Sequence, residues 1–160
     1  MKLTSFTDYS LRVLIYLAAE PGRRATIAEI ATSFGVSENH LTKVVHFLGK
    51  EGLLVTVRGK GGGMGLARAA DQINVGDVVR RTEGTDATAE CFDPLTNRCT
   101  IAPMCRLQGV LRQALTAFYA VLDAHTLSDL VENRDQLAPV LFATRDTLPG
   151  ARPKRPVEAE

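Results

Sequence analysis

The sequence lacks the features of two broad classes of protein, secreted disulfide scaffolds and proteins with membrane-spanning helices. Its only cysteines are Cys91, Cys99 and Cys105, whereas secreted disulfide scaffolds normally carry an even number. No apolar run approaches the ~20 residues of a membrane-spanning helix. The start of the chain also lacks the basic residues, unbroken apolar core and cleavage site of a signal peptide, since Asp8 and Arg12 interrupt it. We therefore expect a cytoplasmic protein with reduced thiols.

The chain also lacks the motifs of an enzyme. No nucleophile with an activating base stands out, and no motif that would cradle a substrate is present. The glycine-rich run at residues 59–63 fits neither G-x-G-x-x-G nor G-x-x-x-x-G-K, and no helix opens directly after it, which disfavours a nucleotide-binding loop. We expect no catalytic activity.

Positive charge is concentrated in the first part of the chain. Residues 1–69 contain nine Lys or Arg and five Asp or Glu, whereas residues 70–132 contain five and nine. A basic N-terminal part on a protein whose net charge is only +1 is a mild indication of nucleic-acid binding.

Three amphipathic helices are predicted before residue 53. The first begins at Ser5, a suitable N-cap, with Asp8 close to a capping-box position, and it ends at Pro21-Gly22. Thr26 and Glu29 form a capping box for the second helix, which ends at Gly35.

The third helix follows the second after a short turn. Ser37 caps it and Gly52 closes it, so the second and third helices form a helix-turn-helix. The extended residues on both sides of the glycine-rich run then predict a hairpin, which in this position is a wing. The predicted fold is mainly α, a winged helix-turn-helix with a long C-terminal helix.

The polar residues of the third helix and the wing are candidates for DNA contact. Short polar side chains suit base edges and phosphates, glycine permits close backbone approach, and arginine is drawn to a narrow minor groove. A solvated helix face is the alternative interpretation of the helix. The candidates are Ser37, Asn39, His40 and Lys43 on the helix and Arg58, Lys60, Gly61, Gly62 and Gly63 on the wing.

The rest of the chain divides into four parts after a DNA-binding domain at residues 1–69. We expect a connector at 70–84, a cysteine loop at 85–105, a dimerisation helix region at 106–132 with His125 marking the helix end, and a partly disordered tail at 133–160. The apolar stripe of the long helix could pack in the core or against a second copy, and two-fold symmetry would match a palindromic DNA site. That stripe comprises Leu107, Leu111, Leu115, Phe118 and Leu122.

The spacing of the cysteines, C-x7-C-x5-C, is typical of neither a disulfide framework nor a zinc knuckle. Iron–sulfur clusters are held by thiolates, usually four. Three thiolates would leave one iron for a carboxylate, a histidine, water or a small molecule, and such a position favours sensing. Zinc is disfavoured by the spacing but stays open.

The order of these motifs resembles the family of winged-helix iron–sulfur repressors, and its nitric-oxide-sensing members above all. The resemblance covers Met1 to about Glu132 and rests on four stretches: "MKLTSFTDYSLRVLIYLA", "VSENHLTKVVHFLGKEG", "APMCRL" and "HTLSDLVE". It implies a homodimer that represses nitrosative-stress genes, binds a palindromic operator in double-stranded DNA and releases it when its cluster reacts with nitric oxide.

The resemblance also implies a ligand set. Cys91, Cys99 and Cys105 would hold a four-iron four-sulfur cluster, with a two-iron two-sulfur cluster as the alternative, and the partner subunit's Asp8 would supply the fourth ligand. Two features depart from the family pattern. The gap between the first two cysteines is longer than usual, and Gln108 replaces the histidine that two-iron members carry three residues after the last cysteine.

Two other functions remain open at the level of the sequence. An iron- or redox-sensing iron–sulfur regulator of the same fold would respond to iron or oxidants rather than to nitric oxide. An iron–sulfur electron-transfer or cluster-carrier protein would have no DNA affinity, and the helix-turn-helix and wing argue against it.

Overall fold

Six α-helices and a two-stranded sheet are the main elements of the described part of the chain. A computed structural model describes residues 3–59, 61–84, 90–93 and 95–143. The elements are α1 (Ser5–Ala19), α2 (Ile27–Phe34), α3 (Glu38–Lys50), β1 (Leu54–Val57), β2 (Gly63–Leu66), α4 (Val75–Glu83), α5 (Arg106–Asp123) and α6 (Arg134–Phe142). The predicted fold class is confirmed, since a helix-turn-helix precedes a hairpin wing and a long helix follows. None of the described helices is both long and apolar enough to cross a membrane.

The core lies between α1 and the helix-turn-helix. Leu14 of α1, Ile30 of α2 and Leu48 of α3 are all fully buried. Fully burying a Leu or Ile side chain stabilises the folded state by about 1.5–3 kcal/mol, so this packing among three helices outweighs any one hydrogen bond of the domain. The helices are therefore held mainly by packing of their apolar stripes.

The turn between α2 and α3 follows the predicted signals. The Thr26 side chain accepts a hydrogen bond from the backbone N–H of Glu29, and the Glu29 carboxylate accepts one from the backbone N–H of Thr26, so the predicted capping box is confirmed. Gly35 ends α2 at φ 65°, a left-handed conformation that glycine adopts without steric cost. Ser37 is the N-cap of α3, as predicted, but its side chain makes no capping hydrogen bond.

The start of α1 differs from the prediction. Thr4, not Ser5, is the N-cap, because the Thr4 hydroxyl accepts a hydrogen bond from the backbone N–H of Thr7. The near capping box at Asp8 is wrong as well, since the Asp8 carboxylate pairs one turn onward with the guanidinium of Arg12 at 2.9 Å. Ser and Thr are comparable N-caps, so the sequence alone could not choose between neighbouring hydroxyls.

The wing is an antiparallel hairpin that a third short segment extends. Leu54 is paired with Leu66 and Val57 with Gly63. Ala25, in the loop before α2, forms a bridge with Met64, with N–O distances of 3.0 and 2.7 Å. The wing is thereby tied to the start of the helix-turn-helix.

Hydrogen bonds connect the C-terminal end of α5 to α4. Both carboxylate oxygens of Asp123 accept hydrogen bonds from the Arg80 guanidinium at 2.6 Å, which holds the pKa of Asp123 below its usual value. The Asn74 amide donates to the Asp123 carbonyl at 2.7 Å. The long helix ends at Asp123, two residues before the predicted His125, and the chain then returns to the core through the buried Leu127.

The chain after residue 133 forms a helix that packs on the helix-turn-helix. Leu141 of α6 is buried, and the Ser33 hydroxyl of α2 donates to its carbonyl at 2.7 Å. Phe142 meets Tyr16 of α1 edge to face, with ring centroids 5.0 Å apart. The first part of the predicted tail is therefore an ordered helix, and the disorder expected for residues 147–160 lies outside the described residues.

Candidate DNA-binding surface and cysteine segment

The polar face of α3 is exposed, as a DNA-reading helix requires. Ser37, Asn39, His40 and Lys43 are all exposed, while the opposite face of α3 packs into the core. A second helix whose N-terminal residues face solvent is the geometry with which helix-turn-helix proteins enter the major groove. The structure thus brings all four helix candidates onto one accessible surface.

His40 is held in place by α1, which the sequence did not indicate. Its ring stacks on that of Tyr9, with centroids 6.1 Å apart and planes 22° apart. Beside this pair lies a small hollow of about 170 Å³, which Phe6 and Val44 also line. Phe6 in turn meets Phe47 of α3 edge to face at 5.3 Å. The N-terminal half of α1 therefore orients the candidate DNA-reading helix.

The candidate residues of the wing have two different kinds of environment. Arg58 and Gly61 are exposed, whereas Gly62 and Gly63 are half-buried, and Lys60 lies outside the described residues. A side chain at Gly62 would collide with the backbone carbonyl oxygens of Val57 and Gly59. The hairpin itself therefore requires at least part of the glycine run, independently of any contact with DNA.

One exposed arginine beside the wing, Arg24, was not among the predicted residues. Arg24 precedes Ala25, which forms a bridge with Met64 of β2, and Arg68, which flanks the wing, follows β2 and donates to the Gly52 carbonyl at 3.1 Å. Only the pairing of Ala25 with β2 places Arg24 here, and no local pattern encodes that pairing.

The three cysteines are free thiols in one segment between α4 and α5. Cys99 is exposed, and Cys91 and Cys105 are half-buried. Cys105 is the N-cap of α5, and its side chain makes no capping hydrogen bond. The thiolate is the form of cysteine that binds metals.

Gln108 has a structural role in this segment. Its side-chain amide donates to the carbonyl of Cys91 at 2.6 Å, which ties the beginning of the cysteine segment to the first turn of α5. The nearby Asp93 accepts hydrogen bonds from the backbone N–H of Leu95 and the hydroxyl of Thr96, and these lower its pKa. Asp93 is thus engaged within its own turn.

A metal site is not assembled within the described part of the single chain. No three His, Cys, Asp or Glu side chains lie close enough there to hold a metal ion. The chemistry of the donors nevertheless suits an iron–sulfur cluster, since all three thiols are free and all three are at least partly accessible. Asp8 lies on α1, about half exposed and paired with Arg12.

The long helix α5 presents apolar side chains to solvent. None of its residues is buried, and the exposed fractions of Leu107, Val110 and Val121 are 61%, 59% and 62%. Several large apolar side chains exposed on one helix indicate an interaction site.

A helix-turn-helix with an accessible second helix, followed by a wing, defines a DNA-binding transcriptional regulator. The family model "Rrf2: Iron-dependent Transcriptional regulator" matches residues 3–133, and the chain belongs to the Rrf2 family.

The similarity to individual members extends over most of the chain. The HTH-type transcriptional regulator NsrR of Bacillus subtilis (strain 168) is 51% identical over 142 residues, which are 88% of this chain and 97% of that protein. The regulator of the same name from Halalkalibacterium halodurans is 49% identical with the same coverage. The structure of T. potens IscR has a TM-score of 0.69 at 27% identity and covers 86% of this chain and 90% of its own.

Proposed function

We propose that this regulator is a homodimeric repressor of the NsrR type. In this proposal, Cys91, Cys99 and Cys105 hold an iron–sulfur cluster, for which we favour four irons and four sulfides, and the partner subunit's Asp8 completes the ligand set. Nitric oxide is the signal, nitrosative-stress genes are the targets, and loss of DNA binding is the response.

One observation carries the proposal: all three cysteines of this chain are free and lie in the single segment before α5. The chain is also 51% identical to a regulator named NsrR. Structural cysteines tend to be dispersed and deeply buried, whereas these are partly exposed. When bound, an iron–sulfur cluster with one weakly held iron supplies a position at which nitric oxide can react.

The residues around the segment provide a route from the cysteines to α3. The C-terminal end of α4 precedes the cysteine segment and is hydrogen-bonded to the start of α1, where Glu83 accepts from the backbone N–H of Thr4 at 2.8 Å. The hydroxyl of Thr7 donates to that of Thr82 at 2.9 Å. Two residues further along α1, Tyr9 stacks on His40. A shift of the segment would therefore act on α1 and, through it, on the DNA-reading helix.

Dimerisation is supported by the exposed apolar face of α5. Because Cys105 caps this helix, an interface along α5 would bring the cysteine segment close to a second subunit. Two copies related by a two-fold axis would present two α3 helices to the half-sites of a palindromic operator.

The experiment compares DNA binding by anaerobically prepared protein before and after stoichiometric nitric oxide. A coupling free energy of about 3 kcal/mol would weaken operator binding ~100-fold. Separate exposure to oxygen and to an iron chelator distinguishes a nitric-oxide sensor from an iron or redox sensor. Equal affinity with and without nitric oxide would refute the sensing mechanism.

The role of Asp8 is tested by the absorbance spectrum of the Asp8→Ala protein. We expect an altered spectrum or an altered rate of reaction with nitric oxide, with unchanged helical content by circular dichroism. Asp135→Ala is the matched control, because Asp135 is also an aspartate in the first turn of a helix. If both variants behave like the unmodified protein, Asp8 is not the fourth ligand.

A further inference from the structure

The angle at which α5 leaves the DNA-binding domain is not set by burial of apolar side chains. None of the residues of α5 is buried, whereas α4, which it contacts, has Val75, Val78 and Val79 in the interior. Burial therefore holds α4 to the domain but leaves the orientation of α5 to contacts at the surface. The chain after α5 is anchored again by the buried Leu127, so α5 is attached to the domain at its C-terminal end.

A single arginine of α4 makes two contacts at that end. The Arg80 guanidinium donates to both carboxylate oxygens of Asp123 at 2.6 Å, and it lies 4.4 Å from the centroid of the Tyr119 ring. A bidentate pair of a planar guanidinium with a carboxylate fixes direction as well as distance. Tyr119 and Asp123 are four residues apart, so they lie on the same side of α5, about 6 Å apart along its axis. Arg80 therefore holds α5 at two points.

The glycine at position 76 of α4 makes room for this contact. A Cβ added to Gly76 would collide with the Asp123 carboxylate. The φ of Gly76 is not positive, and alanine is a better helix former than glycine, so α4 itself does not require glycine there. Gly76 therefore serves the close approach of α5 to α4.

The residue after Arg80 connects α4 to the DNA-reading helix. The Arg81 guanidinium lies 2.9 Å from the carboxylate of Glu51, the residue directly after α3. Two consecutive arginines of α4 thus contact the C-terminal ends of α3 and α5. The contacts of one short stretch of α4 relate the orientation of the DNA-reading helix to that of the helix that we propose as the dimer interface.

A small tilt of α5 about its C-terminal end would matter on the scale of DNA. The helix has 18 residues and is about 27 Å long. A tilt of about 10° moves its N-terminal end by about 5 Å, whereas successive base pairs are about 3.4 Å apart. If two copies meet along α5, such a tilt changes the distance between their α3 helices by more than one base pair.

We propose that the contact of Arg80 with Asp123 and Tyr119 sets the spacing of the two DNA half-sites that the dimer binds. Arg80 is then a specificity-determining residue that acts through the orientation of α5 and not through contact with bases. The proposal rests on the homodimer of the proposed function, and it requires neither the iron–sulfur cluster nor the response to nitric oxide.

The test compares the half-site spacing accepted by the full-length protein and by Asp123→Ala. The unmodified protein first selects its preferred duplex from a pool with about 40 random base pairs, enough for two half-sites separated by one helical turn or a multiple. Fluorescence anisotropy then measures affinity for that duplex and for versions with one base pair inserted or removed at its centre. The unmodified protein should bind the altered versions at least about 10-fold more weakly. Asp123→Ala should lose at most about 3-fold, because α5 can then tilt to follow the altered spacing.

Asp77→Ala is the matched control. Asp77 also pairs with Arg80, at 3.7 Å, but both residues lie in α4, so removing this carboxylate should leave the spacing preference unchanged. Gly76→Ala is a second variant, since its methyl group displaces the Asp123 carboxylate without removing a charge, and it should accept altered spacing as Asp123→Ala does. Circular dichroism and light scattering verify the fold and the dimer of each variant. Discrimination by Asp123→Ala and Gly76→Ala equal to that of the unmodified protein would overturn the proposal, and so would equal relaxation in Asp77→Ala.

Nitric oxide added to the same preparations separates this proposal from the proposed function. If nitric oxide leaves DNA binding unchanged while Asp123→Ala accepts altered spacing, the sensing mechanism fails and the role of Arg80 stands. If nitric oxide releases the selected duplex but all the proteins discriminate equally between spacings, the spacing proposal fails alone. A monomeric unmodified protein in light scattering would refute the homodimer and, with it, this proposal.

Discussion

Replacing Gly63 with alanine tests whether the glycine run serves the fold of the wing. Gly63 opens β2 at φ 144°, within the positive range that favours glycine. An added Cβ would lie 2.9 Å from the carbonyl oxygen of Ala25. That oxygen accepts the hydrogen bond from Met64 at 2.7 Å, so the methyl group would press on the bridge that ties the wing to the helix-turn-helix.

Gly63→Ala changes the free energy of unfolding through backbone strain and steric crowding, which destabilise the folded state, and through a smaller opposing effect on the unfolded chain. A non-glycine residue in this backbone region costs about 1–3 kcal/mol, and shifting the crowded carbonyl adds about 1 kcal/mol. Alanine also lowers the conformational entropy of the unfolded chain, which stabilises the folded state by about 0.4–1 kcal/mol. The net destabilisation is about 2 kcal/mol, which for a chain of this size lowers the melting temperature by about 4–8 °C.

Thermal unfolding followed by circular dichroism measures the effect, and Gly65→Ala is the matched control. Gly65 lies in the same strand, its φ is not positive, and a Cβ there would meet nothing within 4 Å. We expect the melting temperature of Gly65→Ala to equal that of the unmodified protein or to exceed it slightly. If the two variants melt at the same temperature, the wing does not depend on glycine at position 63 and the steric reasoning is wrong.

Two further predictions concern α2 and α5. The backbone N–H of Thr26 lowers the pKa of Glu29, so the capping box stabilises the fold above about pH 4.5 and this contribution is lost as the pH falls through the lower folded-state pKa. Glu29→Gln should remove that part of the acid sensitivity in urea denaturation between about pH 3 and 7, and an unchanged pH profile would contradict the assignment. Val110→Asp on the exposed face of α5 should convert a dimer to a monomer, as measured by light scattering. Thr116→Asp, at a polar position of the same helix, should leave the dimer intact. If the unmodified protein is itself a monomer, this interface does not exist.

The helix-turn-helix could be predicted because its signals are local. The Thr26–Glu29 box and the stop at Gly35 depend on atoms within one or two helical turns, and both occur as predicted. The prediction of Ser5 rather than Thr4 as the N-cap of α1 was wrong because a distant contact is involved. Thr4 gains its position partly from Glu83, which hydrogen-bonds to it from 79 residues away.

The features missed by the sequence analysis are contacts between distant segments. Ala25 carries no strand signal of its own and forms a bridge with the wing only because the fold places Met64 beside it. For α6 the sequence indicated only that apolar residues between 137 and 142 could pack on the body, and not that they do so as a helix containing Pro139 against α1 and α2. Neither propensity nor periodicity encodes such pairings, because both describe neighbours along the chain.

Folding of the single chain does not by itself account for the proposed role of the cysteines. Gln108 and the N-cap position of Cys105 organise the segment without bringing three ligands together in the described residues. A ligand set completed by the partner subunit's Asp8 would be assembled only by dimerisation and cofactor binding, whose free energies act on the folded chain from outside. The exposed face of α5 and the free thiols therefore lead to one joint expectation. If α5 forms the dimer interface, a variant that lowers dimer stability must also lower cluster occupancy, and loss of the cluster must lower dimer stability.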